Sequence, residues 1–194
     1  MEHELRSALK DKRTSLTKQL QAEKSKKIIE TVENSKAYKH AKNIGTYHSV
    51  KGEANPADLI HKAQREKAEK VFYLPVLSSD KQQGLLFGQL TPTTKFKNNR
   101  FAILEPIFEE SDLVSGEQLD LVLIPLLGFD KNGNRLGMGG GFYDRCFAFK
   151  KDKQNKTILM GFAYDFQEID ELKPETWDVR LDLIATETQL IDLR

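Results

Sequence analysis

Apolar positions recur at helical spacing from about residue 3 to 40, at Leu5, Ala8, Leu9, Leu16 and Leu20 and again at Ile28, Ile29 and Val32, among Lys, Glu and Gln. A stripe of this kind lets a helix bury one face and solvate the other. It predicts two helices, with a break near Thr14 and Thr17 and lysine-rich faces turned to water.

The period then changes. "NIGTYHSV" reads as a short strand running into a loop, "NPADLIHKAQREKAEK" as a helix capped by Asn55 with Pro56 at its first position, and "VFYLPVL" as a second strand. Strand, helix and strand in that order predict parallel neighbours joined by a right-handed crossover. "GLLFGQL" and "RFAILEP" are strands or edge segments around an irregular middle. "LDLVLIPLL" (Leu119 to Leu127) is nearly continuous aliphatic sequence, as a central parallel strand requires when both its faces are covered. "TILMGFAY" and "LDLIATET" supply two further strands, and a helix is expected from about Gly141 to Phe149. The alternation predicts an α/β fold: a three-layer domain with a mostly parallel central sheet flanked by helices and the N-terminal helices packed on it. Neither an internal repeat nor a low-complexity linker divides the chain, so residues 1–194 are expected to form one domain.

Charge narrows the partners. Thirty basic against twenty-nine acidic residues leave a formal charge of +1, and the lysines are spread among glutamates, so there is no field to attract nucleic acid or an anionic membrane. Small-molecule substrates are the expected partners, and any anion among them must be caught locally. No apolar run is long enough to cross a membrane, and the N-terminus lacks the apolar segment of a signal peptide. The single cysteine, Cys146, excludes an internal disulfide and reads as a buried structural thiol. A soluble, cytoplasmic protein is expected.

The candidate chemistry sits in "RLGMGGGFYDR", Arg135 to Arg145, where Gly137, Gly139, Gly140 and Gly141 follow the most buried strand and precede a helix. Glycines let phosphate oxygens approach the main chain, and a helix start presents free N–H groups. The segment fits neither the Walker loop nor the dinucleotide fingerprint, and a tight turn without a ligand remains an alternative. Arg135 and Arg145 are suited to bidentate phosphate contact, and Asp144 to a magnesium ion completed by phosphates and water.

The stretch "LDLVLIPLLGFDKNGNRLGMGGGFYDR" closely resembles the signature of the 5-formyltetrahydrofolate cyclo-ligase (methenyltetrahydrofolate synthetase) family. Leu5 and Arg6, "HSVKGEANPADLI", "RFAILEP", "GFAYDFQ" and "WDVRLDLIATET" agree with its other elements in the same order. A lysine that members often carry just before the Leu-Arg pair is absent, leaving Lys10 as the available substitute, and Trp177 stands where a histidine is common.

The resemblance implies ATP-dependent conversion of 5-formyltetrahydrofolate to 5,10-methenyltetrahydrofolate with release of ADP and phosphate, magnesium as the metal, and a monomer. It implies ATP contacts from Arg6, Arg135, Leu136, Gly137, Met138, Gly139, Gly140, Gly141, Phe142, Tyr143 and Arg145. Folate contacts would come from His48, Val50, Glu53 and Tyr143, with Lys51 and Arg100 as candidates for its glutamate tail. Tyr143, Arg135 and Asp144 would act in catalysis, and Asp144 with Asp178 would hold the metal, Asp182 being the competing second carboxylate. Two other readings are a catalytically inactive descendant that binds folate or nucleotide, and a different sugar-phosphate or acyl-transfer enzyme on a related scaffold.

Overall fold

A computed structural model describes residues 2–152 and 155–194. The N-terminal stripe becomes α1 (Glu2–Thr14) and α2 (Lys18–Asn34). They separate where expected, because the Thr17 hydroxyl accepts from the Leu20 amide at 3.2 Å and satisfies a free donor of the first turn. Ser35 interrupts the second run by capping Tyr38 at 3.1 Å, so a short α3 (Lys36–His40) follows. The apolar period runs straight through that interruption, which hides it in the sequence.

β1 (Asn43–Gly45) and β2 (Val71–Leu77) pair in parallel around α4 (Ala57–Arg65), as the strand-helix-strand order predicts. Asn55 Oδ1 accepts from the Ala57 amide at 3.0 Å, which starts α4 one residue later than expected. It ends before "EKAEK" because Lys67 adopts a left-handed conformation, φ 51°. β3 (Leu85–Gln89) returns antiparallel to β2, and the last three residues of "RFAILEP" form β5 (Leu104–Pro106), which pairs in a separate ribbon with β4 (Phe96–Asn98), a strand just before that stretch. β6 (Leu113–Val114) closes that edge. The aliphatic run supplies β7 (Leu121–Ile124), shorter than Leu119 to Leu127 because Pro125 offers no amide hydrogen to a ladder. A hairpin of β8 (Gly128–Phe129) and β9 (Arg135–Leu136) leads to α5 (Phe142–Cys146). β10 (Ile158–Phe162), β11 (Leu183–Ala185) and the antiparallel β12 (Leu190–Asp192) complete the chain.

The main sheet has the order β12-β11-β10-β7-β1-β2-β3-β6, and its run from β11 to β2 is parallel. β7 shows why both faces must be covered. Leu121 and Leu123 enter a core with Ile28, Val32 and Leu59 from α2 and α4, whereas Val122 and Ile124 enter another with Phe87, Phe147 and Leu159. Side chains alternate across a strand, so each face receives every second residue. Each such aliphatic side chain contributes about 1.5–3 kcal/mol on burial.

The topology also creates the crevice. From β1 the chain crosses to β2 on one side, and only later adds β7 on the other. Loops leaving the carboxyl ends of β1 and β7 therefore diverge, which is where open α/β sheets bind ligands.

Candidate active site

The turn between β8 and β9 is built around Asp130, which is fully buried. Its Oδ1 accepts from the amides of Asn132 at 2.9 Å and Asn134 at 3.0 Å, and its Oδ2 from Asn134 Nδ2 at 2.8 Å and the Leu172 amide at 3.0 Å. This internal cage fixes the hairpin that presents Arg135 and the glycines.

Arg135 lies almost entirely inside the protein. Its Nη1 donates to the Val179 carbonyl, and its Nη2 sits 2.6 Å from Asp144 Oδ1. The Val179 amide donates to that same oxygen at 3.1 Å. Asp178, one residue earlier, is half-buried and accepts from the Glu175 amide through Oδ2 at 2.8 Å. Asp144 and Asp178 are thus on adjoining segments, tied together through Val179. Asp182 is elsewhere: it precedes β11 at the amino end of the sheet, where it accepts from the Leu159 amide at 2.8 Å and pairs with Lys150 at 3.0 Å. That position removes it as a second metal carboxylate.

Between Arg135 and Asp144 the glycine loop is open on its outer side. A methyl group at Gly137 or Gly139 would meet nothing within 4 Å, while Gly139 and Gly141 have φ of 87° and 60°, left-handed values that favour glycine. A methyl group at Gly140 would instead meet the Phe142 ring at 2.6 Å, and Met138 stands in solvent. Leu136 is core. α5 is much shorter than the helix expected to Phe149; Phe147 ends it and a 3-10 turn (Ala148–Lys151) follows. From across the loop, Arg6 of α1 donates through Nε to the Gly137 carbonyl at 3.1 Å.

The folate candidates lie on the loop after β1. Val50 is half-buried, and its amide donates to Glu53 Oε2 at 3.0 Å. Burial pushes the Glu53 carboxyl upward in pKa, against the Val50 hydrogen bond and the positive charges of Arg13 and Lys51. Burial also raises the Tyr143 hydroxyl, and Glu53 adds to that shift while Arg135 opposes it. Glu53, Tyr143 and Arg135 therefore share one electrostatic neighbourhood although 90 residues separate the first two. His48, by contrast, is exposed, as are Lys51 and Trp177.

Next to the loop is a cleft of about 760 Å³ whose wall includes Gly140, Phe142, Arg145, Lys81, Lys97 and Arg100. Arg145 lies over the Phe142 ring at 5.1 Å, and Phe142 meets Phe101 edge to face at 5.7 Å. Lys81 and Lys97 escaped the sequence reading, since exposed lysines are common and only the fold brings these two together. Arg13 was missed as well. It is buried beside Glu53, and the one signal available was its place on the apolar side of α1, seven residues after Arg6.

The arrangement offers cations and open backbone for phosphates, two carboxylates on adjoining segments, and a buried acid with an aromatic wall for a flat heterocycle. Among the described residues no helix is long and apolar enough to cross a membrane.

Comparison with known proteins gives the site a context. The profile of the 5-formyltetrahydrofolate cyclo-ligase family matches residues 1–187. A Haemophilus influenzae protein named 5-formyltetrahydrofolate cyclo-ligase is 37% identical over 179 residues, covering 92% of this chain and 93% of its own. The Escherichia coli K12 protein of that name is 32% identical over 182 residues, covering 94% and 98%. Among solved structures, an Aquifex aeolicus 5,10-methenyltetrahydrofolate synthetase superposes with a TM-score of 0.82 at 29% identity, over 100% of this chain and 93% of that one.

Proposed function

The chain belongs to the 5-formyltetrahydrofolate cyclo-ligase family and is an enzyme of that class, and from this premise we propose that it cyclises 5-formyltetrahydrofolate to 5,10-methenyltetrahydrofolate at the expense of ATP. The observation that carries the reading is the convergence of Arg6, the glycine loop, Arg135 and Asp144 with Glu53 and Tyr143 on one crevice.

The chemical obstacle is the formamide oxygen, a poor leaving group. Transfer of the γ-phosphoryl group of ATP to that oxygen gives an iminium phosphate. The amine at position 10 attacks the formyl carbon, loses its proton, and the carbon–oxygen bond breaks to release phosphate. ADP is the other product. No protein nucleophile is required, so positioning and neutralisation of charge supply the catalysis.

Each residue has a part. Loop amides from Gly137 to Phe142 and the guanidinium groups of Arg6, Arg135 and Arg145 hold the phosphates. Asp144 and Asp178 are hard oxygen donors, a set that fits magnesium. When bound, that ion would offset charge developing on the phosphates. Glu53 accepts hydrogen bonds from the pterin amino groups, His48 and Val50 border the pterin, and Tyr143 lines the junction of the two substrates.

The test is absorbance in the methenyl-folate band after mixing protein, 5-formyltetrahydrofolate, magnesium and ATP. ATP-dependent growth is expected. A folded protein that binds ATP without producing the chromophore would overturn the reading.

A further inference from the structure

Arg6, Leu9 and Arg13 fall at i, i+3 and i+7 on α1, and so share one face. Arg6 reaches the glycine loop, and Leu9 packs between with Leu127 and Leu136. Arg13 goes completely inside, with 1% of its side chain exposed. Its Nε donates to the Lys51 carbonyl at 3.1 Å and its Nη1 to the Leu126 carbonyl at 3.2 Å. That same Nη1 lies 3.6 Å from Glu53 Oε1, while Nη2 is buried without a hydrogen-bond partner.

Stability alone does not account for this arginine. Burying a guanidinium costs several kcal/mol even when it is paired, and an apolar residue would seal α1 to the sheet without an orphaned donor. What Arg13 does secure is the geometry of the crevice. It ties the loop after β1 to the segment after β7, the two chains that diverge there. The loop is shaped to receive it: Lys51 and Gly52 have φ of 50° and 76°, and a methyl group on Gly52 would sit 2.7 Å from the Arg13 carbonyl oxygen.

We propose that Arg13 is a positioning residue of the folate site, holding loop 50–53 against the end of β7 and aiming the Glu53 carboxylate, without itself touching substrate. The inference rests on the assignment of Glu53 to the pterin. Around that carboxylate stand Arg13 from α1, Lys51 on its own loop, Tyr47 beyond β1, Tyr143 of α5 and Tyr164 beyond β10. Burial raises all three tyrosines, so they stay neutral; burial also raises the Glu53 carboxyl, and the Val50 amide, Arg13 and Lys51 oppose that shift.

The experiment compares Arg13→Met, Arg13→Lys and Glu53→Gln with the wild type, measuring KM for each substrate across pH together with the melting temperature. Arg13→Met should raise the folate KM on the order of tenfold, the loss expected for one charge-assisted contact, and leave the ATP KM nearly unchanged. Its acid limb should move to higher pH, because Glu53 protonates sooner without the guanidinium. Arg13→Lys should restore the acid limb but not the folate KM, since it keeps the charge and loses the paired backbone bonds. If Arg13→Met does not fold, the lysine variant carries the test through its KM split. Lower melting temperatures with wild-type folate KM and acid limb would make Arg13 merely structural. A parallel rise in both KM values would mean that α1 had shifted as a whole, which also overturns the inference. An unchanged folate KM in Glu53→Gln would bring down the Glu53 assignment on which it rests.

Discussion

Arg135 Nη2 lies 2.6 Å from Asp144 Oδ1, and the oxygen it holds is the one that also receives the Val179 amide. One carboxylate therefore fastens the start of α5 to the end of the hairpin and to the segment that follows Asp178. In the proposed reaction the same two side chains meet phosphate and metal, so their pairing keeps both in place in the ligand-free protein.

Two substitutions at Asp144 should separate these duties. Asp144→Asn retains an acceptor for Val179 but loses the charge; it should fold nearly as well as wild type and lose turnover. Asp144→Ala also leaves the buried Arg135 guanidinium without its carboxylate, and should cost a further 1–3 kcal/mol, roughly, in urea unfolding. Wild-type turnover by folded Asp144→Asn would count against the metal and phosphate assignment.

Asp130 makes a prediction about acid stability. Burial raises its pKa, but four hydrogen bonds outweigh that and hold the folded value below the ordinary 3.8. A depressed carboxyl contributes stability that is fully present above the unfolded pKa and is lost as pH falls through the folded one. Asp130→Asn should thus be less stable than wild type at neutral pH and show a smaller further loss below pH 3.8. Parallel unfolding curves for the two proteins across that range would contradict the cage described for the hairpin.

Much of this was legible because buried parallel strands and amphipathic helices write themselves as period. "LDLVLIPLL" and the β1-α4-β2 unit were recognisable on those grounds, and the glycine loop stood out by composition. The β4–β5 ribbon was legible only in part: β5 falls within "RFAILEP", whereas β4 is exposed at all three residues and so carries no burial pattern. Asp178 and Asp182 occupy similar sequence surroundings, and only the fold sets the first beside Val179, which binds Asp144, and the second against Leu159 and Lys150. Arg13 was hidden by its charge: an arginine among lysines on a helix reads as solvated, and its burial depends on Glu53, forty residues away.

Cys146 should behave as a core residue. Burial pushes its thiol up to about 12, and it packs with Phe147 and Leu85. A thiol reagent at neutral pH should modify it only after denaturation, because the thiolate is the reactive form. Rapid, stoichiometric labelling of the native protein would show that α5 opens readily.

The sharpest test of the loop is Gly137→Ala. The added methyl group would meet nothing within 4 Å, and Gly137 has no left-handed φ, so the substitution should not lower the melting temperature. If phosphate oxygens occupy that open side, the methyl group intrudes on them and the ATP KM should rise about tenfold or more, while the folate KM stays close to wild type. Gly141→Ala provides the contrast: with φ of 60° and Arg145 Nη1 3.0 Å from the new methyl group, it should lose roughly 1 kcal/mol of stability before any ligand is added. A stable Gly137→Ala protein with unaltered ATP kinetics would mean that the space beside this glycine is left for something other than the nucleotide.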